Sequence, residues 1–338
     1  MNRKKLIWQL PFLIFLIVGT IYIISNQEDT VYQDNKGRIF GTFYQIKYQS
    51  AKDLHQGILG ELDKVDNSLS MFNKESIISK INNNEDIIPD SMFNDVFDTA
   101  MEISKITDGA FDITVAPLVN AWGFGFKEGT TPDKHIIDSL MHIVGYENVW
   151  KEDGKICKKY PETMLDCSGI AKGYSCDVIA NYLKANGVEN YLVNIGGEIV
   201  TSGINDKRLP WKIQVTKPVD DSLSTESEIQ TIINVTDKAM ATSGNYRNFY
   251  FKGGKKYAHT IDPSTGECVQ HNILSATVLA DRCMDADAYA TAFMVMGLDK
   301  AKKILEKHPE LMAYLICDGE NGTYKVWCSP SLKDKLQE

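Results

Sequence analysis

Between Asp285 and Ala292 the chain reads DADAYATA, followed at once by FMVMG. Small residues and apolar bulk recur there at helical spacing, which predicts a buried helix, yet the segment carries two aspartates. On a helix, Asp287 and Thr291 are four residues apart and place their oxygens on one face, a turn from each other. Paired oxygens of that kind suit a hard cation. The plainer alternative makes Asp285 the helix cap and leaves Asp287 and Thr291 as ordinary polar residues of the first turn. The chain has six histidines. One of them, His259, stands in YAHTIDPSTG, whose DPSTG end has the composition of a tight turn; His55, His135, His142, His271 and His308 have no comparable setting. Lys172, in SGIAKGY, sits where a helix begins and could either meet phosphate or be solvated. NIGGEI places a glycine pair after a strand but does not satisfy the dinucleotide-binding fingerprint.

The elements that must position these groups can be read from periodicity. GTFYQIKYQ alternates as a strand does. LHQGILGELDKVDNSLSMF carries Leu54, Ile58, Leu62 and Val65 on one side of a helix. SMFNDVFDTAMEISKITDG reads as a second helix ending at Gly109. AFDITVAPLVNAWGFG starts like a strand and runs into an aromatic, glycine-rich turn. SGIAKGYSCDVIANYLKANG puts Ile170, Tyr174, Val178 and Leu183 on one helical face, with Gly187 as its stop. YLVNIGG, WKIQV and IQTIINV read as strands, and KPVDDSLSTESE as a solvated loop. Strands outnumber strand-helix-strand alternations, so the expected class is α+β with mixed or antiparallel sheets and packed helices.

At 338 residues, 43% hydrophobic and 24% charged, the chain has ample material for a globular core. Its net charge of −9 is a poor match for a nucleic-acid backbone. The apolar run Leu6–Ile24 would span roughly 28 Å as a helix, close to a bilayer's hydrocarbon thickness. Arg3, Lys4 and Lys5 precede it, which by the positive-inside rule sends everything after Ser25 across a membrane. Residues 1–25 are therefore expected to be a membrane anchor, with a cleaved signal peptide as the competing reading. Residues 26–38 are expected to be a short linker, and 39–338 the working domain. Seven cysteines in an exported chain could form up to three disulfides or stay as buried thiols; none of their spacings resembles a zinc site.

Four stretches carry the chemistry: GAFDITVAPLVNAWGFG, DCSGIAKGY, MATSGNYRNFY with YAHTIDPSTG, and DADAYATAFMVMG. In this order they resemble the ApbE family, the FAD:protein FMN transferases, over roughly residues 40–297. The resemblance implies a fold related to the T-fold, with tandem similar subdomains. It implies an enzyme that splits FAD with Mg²⁺, releases AMP and transfers FMN to a Thr or Ser hydroxyl of a target protein. By the same resemblance, Asp287, Thr291 and the Gly169 carbonyl would hold Mg²⁺. Phe40, Phe72, Ala110, Phe111, Asp112, Asp166, Lys172 and Ile261 would contact FAD. Family members often have methionine and tyrosine where this chain has Phe40 and Phe72, so Phe72 keeps a stacking face but lacks a hydroxyl. His259 matches the family's general base. Acceptors in the family belong to sodium-pumping NADH:quinone reductase, Rnf-type complexes and related exported flavoproteins. The implied location is the bacterial cell envelope, anchored in the inner membrane with the catalytic domain on the periplasmic side. The rival readings are an FAD pyrophosphatase, in which water replaces the protein hydroxyl, and a flavin-binding surface protein without turnover.

Overall fold

A computed structural model describes residues 11–20, 31–126, 131–218, 228–245, 249–252, 255–269, 273–319 and 323–337. Its centre is an eight-stranded sheet whose strands follow one another in space in the order in which they occur in the chain: Tyr32–Ile39, Thr42–Gln49, Tyr191–Ile195, Glu198–Ser202, Ala239–Gly244, Ile273–Ala280, Met312–Asp318 and Tyr324–Cys328. Every neighbouring pair is antiparallel. The expected α+β class holds, with antiparallel pairing throughout this sheet.

Alternation along the strands decides what covers each face. Ala276, Val278 and Ala280 point into a core shared with the helices Ser91–Ile106 and Cys283–Met296. Leu279, with Met240, Met312 and Ile316, points to the other face and packs against Val215 and Ile233. Those two belong to a small sheet of Lys212–Thr216, Ile229–Asn234 and Leu336–Gln337. At the sheet's other end, Tyr44, Ile46 and Tyr48 meet Ile58 and Leu62 of helix His55–Leu69, and Ile179 and Leu183 of helix Ala171–Ala185. Gly187 follows that last helix at φ 77°, the left-handed stop expected of it.

The helix Cys283–Met296 is buried on nearly every side, and its alanines let it lie deep between the sheet and its neighbours. Asp287 lies inside this helix and is only 2% exposed. Burying a carboxylate is costly unless something compensates it, so this residue calls for a physical reason.

Three expectations are corrected. Residues 32–38, placed in the linker, belong to the edge strand Tyr32–Ile39, paired in register from Tyr32↔Gln49 to Ile39↔Thr42. Its polar side chains stay at the surface, so backbone pairing and not apolar alternation makes it a strand. The AFDITV segment is turn rather than strand: the Asp112 carboxylate accepts from both the N–H and the hydroxyl of Thr114, each at 2.7 Å, and curls the chain. The second helix stops at Ile106, with Thr107 as its C-cap, three residues short of Gly109. Of the two possibilities left open for the seven cysteines, the structure has the thiols: none of them is joined in a disulfide. Of the expected anchor Leu6–Ile24, the structure describes residues 11–20, which are helical; the rest lies outside the described residues, as does most of KPVDDSLSTESE. No helix among the described residues is long and apolar enough to cross a membrane.

Candidate active site

Two helices that start beside each other build the site. The backbone N–H of Gly173, in the first turn of Ala171–Ala185, donates to Asp287 Oδ2 at 3.0 Å. One turn further on, Asp177 accepts from the N–H groups of Cys283 (2.8 Å) and Met284 (2.9 Å). Asp177 thus caps the helix Cys283–Met296 from outside its own sequence. Asp285 is not the cap: the N-cap residue is Arg282, and Asp285 pairs with its guanidinium at 2.6 and 2.8 Å. Local capping rules read only the residues that lead into a helix, and here the cap comes from a neighbouring helix.

The starts of these helices, the AFD turn, the strand end Thr242–Gly244 and the HTI segment enclose a cavity of about 430 Å³, within the usual range of ligand sites. Ala110, Phe111, Asp112, Asp166 and Gly169 line one side of it; Lys172, His259, Ile261, Asp287 and Thr291 line the rest. A smaller cavity of about 140 Å³ shares Lys172 and Ser168 with it and is walled by Phe40, Met71 and Phe72. The twelve residues singled out from the sequence therefore converge on two adjoining cavities. Phe72, 71% exposed, meets the exposed Phe126 edge-on at 5.5 Å between ring centroids. Phe40 holds φ at 50° beside Gly41 at 71°, the two positive values of a tight hairpin turn. A bulky residue rarely adopts that conformation, and here it directs the Phe40 ring to the smaller cavity.

Charge is concentrated where the two helices meet. Lys172 Nζ lies 2.7 Å from Glu198 Oε1 and 3.9 Å from Asp287 Oδ1. Burial pushes the Asp287 carboxyl above its ordinary value, against the Lys172 ammonium, which favours its ionised form. Burial alone would lower Lys172, but Asp287 and Glu198 together hold it above its ordinary value. Asp112, raised by burial to about 6, has both oxygens engaged: Oδ1 by Thr114 and Oδ2 by the N–H of Tyr146 at 2.8 Å. It shapes the turn that presents Ala110 and Phe111. Burial also raises Asp166, which accepts from the Ser168 N–H at 2.7 Å.

The donors facing the cavity suit a small hard cation. Asp287 brings a buried carboxylate, with Lys172 too far from Oδ1 for a hydrogen bond. Thr291 Oγ1 lies 3.3 Å from Ser243 Oγ. The Gly169 backbone is packed so closely that a Cβ there would sit 3.3 Å from Thr291 Oγ1 and 3.2 Å from the Phe111 ring. Among the described residues no group of three His, Cys, Asp or Glu side chains is arranged to hold a metal. One carboxylate with neutral oxygens fits Mg²⁺, which is commonly bound by one or two carboxylates together with substrate phosphates and water.

His259 follows the strand Lys255–Ala258, and its ring and that of Phe124 meet edge to face at 6.4 Å between centroids. The next residue, Thr260, donates its hydroxyl to Asn245 Oδ1 at 2.6 Å. The DPSTG turn closes through Gly266 N–H to the Asp262 carbonyl at 2.8 Å, and Trp122 Nε1 donates to the Gly266 carbonyl at 2.7 Å. The histidine is thus carried on a segment fixed at both ends.

Glu198, Asp177 and Ser243 escaped the sequence reading. Glu198 carried a signal, as the one charged residue in the run NIGGEIV; in the structure it is buried. Asp177 and Ser243 carried none that local pattern could expose.

An antiparallel α+β protein with an aromatic-walled cavity, an oxygen-rich floor and a lysine at its centre has the class of site that takes a large phosphate-bearing aromatic ligand. The chain belongs to the ApbE family, whose model matches residues 40–316. It is 37% identical to the FAD:protein FMN transferase of Vibrio cholerae over 315 residues, which cover 89% of this chain and 92% of that protein. It is 33% identical to the protein of the same name from Escherichia coli, over 89% of this chain and 88% of that one. The solved structure of the flavin transferase ApbE from Vibrio cholerae matches it with a TM-score of 0.82 at 35% identity, covering 90% of this chain and 99% of that chain. The ApbE protein of Thermotoga maritima gives 0.80 at 26% identity, covering 91% and 100%.

Proposed function

We propose that this chain is an FAD:protein FMN transferase that uses Mg²⁺, releases AMP and esterifies a Thr or Ser hydroxyl of an exported flavoprotein. The observation that carries the reading is the convergence of His259, Lys172 and Asp287 on one cavity in a chain of this family. In the reaction, the acceptor oxygen forms a bond to the FMN-side phosphorus as the bond from that phosphorus to the AMP oxygen breaks. The electron pair leaves on AMP. His259 takes the hydroxyl proton, a role worth roughly 10²- to 10⁴-fold for an alcohol nucleophile. Lys172 offsets phosphate charge, and the Phe40 and Phe72 rings provide faces for the planar parts of FAD. Asp287, Thr291 and the Gly169 carbonyl would hold Mg²⁺, which when bound supplies Lewis-acid neutralisation of diphosphate charge.

The apolar run behind Arg3, Lys4 and Lys5 supports an anchored chain with its catalytic part outside the cytoplasm, where acceptors such as subunits of sodium-pumping NADH:quinone reductase or Rnf-type complexes would be met. The test is to incubate the protein with FAD, Mg²⁺ and a candidate acceptor domain, then search the acceptor by mass spectrometry for FMN-phosphate on Thr or Ser. Modified acceptor is expected. Free FMN and AMP with unmodified acceptors would make the protein a pyrophosphatase instead, and intact FAD throughout would overturn both. A reporter fused after Glu338 should be active only outside the cytoplasm.

A further inference from the structure

We propose that Glu198 is a positioning residue: it holds the Lys172 ammonium off Asp287 and so keeps the Asp287 carboxylate available to a divalent cation. The inference rests on the proposed cation site and goes beyond it by explaining how a lysine and a cation ligand coexist in one buried cluster.

Glu198 opens the strand Glu198–Ser202 directly after the turn at Gly196 and Gly197, whose φ values are 70° and 109°. Its side chain is 4% exposed. A Cβ on Gly196 would lie 3.2 Å from Glu198 Oε2 and 3.3 Å from Lys172 Cδ, so a bare glycine is what lets the turn close over the pair. Lys172 faces two buried carboxylates and is bonded to one of them, at 2.7 Å from Glu198 against 3.9 Å from Asp287. Attraction grows as separation shrinks and is strong where water is excluded, so the contact with Glu198 fixes where the ammonium sits. Glu198 Oε2 is buried and has no hydrogen-bond partner among the described residues. Without the Glu198 charge, Asp287 is the carboxylate left to Lys172. The flexible lysine stem would close onto it, and the ammonium would then compete with the cation for the same oxygens.

The test uses the full chain in detergent and Mn²⁺ as probe, with bound metal read from the loss of the free-ion electron paramagnetic resonance signal, with and without FAD. Glu198→Gln keeps shape and removes charge. It should weaken Mn²⁺ binding in the presence of FAD by roughly tenfold or more, the scale on which groups behind a metal ligand act. In a Lys172→Met background the same substitution should change Mn²⁺ binding little, because there is no ammonium left to displace. Glu198→Asp, which keeps the charge but draws back from Lys172, should fall between wild type and Glu198→Gln, and it carries the test if the glutamine variant does not fold. Unaltered Mn²⁺ binding in Glu198→Gln overturns the positioning role. An equal loss in the Lys172→Met background also overturns it and makes Glu198 a direct ligand. Absence of Mn²⁺ binding by the wild-type protein with FAD would instead sink the cation site, and this inference with it.

Discussion

Gly173 and Asp287 stand 114 residues apart in sequence and are joined by one hydrogen bond, from the glycine N–H to the carboxylate. That contact needs a glycine. A methyl group at position 173 would lie 2.8 Å from Met284 Cα and 2.7 Å from the Cys283 carbonyl carbon. Alanine is intrinsically better in a helix by about 1 kcal/mol, but backbone atoms cannot step aside as a side-chain tip can. We predict that Gly173→Ala destabilises the protein by about 1–3 kcal/mol in spite of the better helix former. Gly60 makes the control, since a Cβ there meets nothing within 4 Å and Gly60→Ala should gain up to about 1 kcal/mol. Thermal unfolding of the two variants checks this, and a Gly173→Ala protein as stable as wild type would contradict the close approach.

Asp285 and Asp287 are two residues apart and should respond in opposite ways to the same change. Asp285 pairs with Arg282 at the surface end of its helix, a contact worth under about 1 kcal/mol, so Asp285→Asn should leave turnover near wild type. Asp287→Asn removes the buried charge at constant shape and should lower metal-dependent turnover by about 10²-fold or more. Thr291→Val removes one neutral oxygen, and its smaller loss should be partly restored by excess Mg²⁺. If both asparagine variants lose activity equally, or neither does, the oxygen site on this helix face is misassigned.

Much of this arrangement was legible in the chain because it is written locally. The helix faces of Ile58, Leu62 and Val65, and of Tyr174 and Leu183, follow from period alone, although period named Val178 where Ile179 is the buried residue. So does the oddity of an aspartate in DADAYAT. What escaped depends on contacts between distant segments. Asp177 caps a helix 106 residues away, and Glu198 becomes part of a charge cluster only once the glycine turn brings it to Lys172. The edge strand Tyr32–Ile39 hid for a different reason: a strand that buries little needs no apolar alternation. Asp112 lay within a recognised motif, yet the structure shows its oxygens spent on Thr114 and Tyr146.

Asp112 gives a pH-dependent prediction. Its carboxyl titrates at about 6 in the folded protein, above the ordinary 3.8, because it is buried. A folded-state value that is raised means the group favours the native state fully below the unfolded value, and that this contribution is lost as pH rises through about 6. Asp112→Asn has no such titration. The stability of wild type relative to Asp112→Asn should therefore fall between about pH 4 and pH 7, by at most about 3 kcal/mol. Denaturant unfolding of both proteins at several pH values measures the difference, and a gap that stays constant or widens with pH would refute the raised value.

His259 supplies the sharpest division between binding and chemistry. It lines the cavity from a segment pinned by the Thr260–Asn245 hydrogen bond on one side and the DPSTG turn on the other. The backbone around it should therefore keep its course when the side chain is cut back. The aromatic faces at Phe40 and Phe72 and the charge at Lys172 and Asp287 come from other elements of the fold, so truncating the histidine leaves the proposed FAD contacts in place. We predict that His259→Ala binds FAD and a divalent cation with affinities within about threefold of wild type, yet transfers FMN at least about 10²-fold more slowly, with the loss in kcat rather than KM. Fluorescence titration of FAD and single-turnover labelling of an acceptor separate the two effects. Undiminished transfer at every pH would remove His259 from the chemistry, whereas a loss confined to FAD affinity would make it a binding residue.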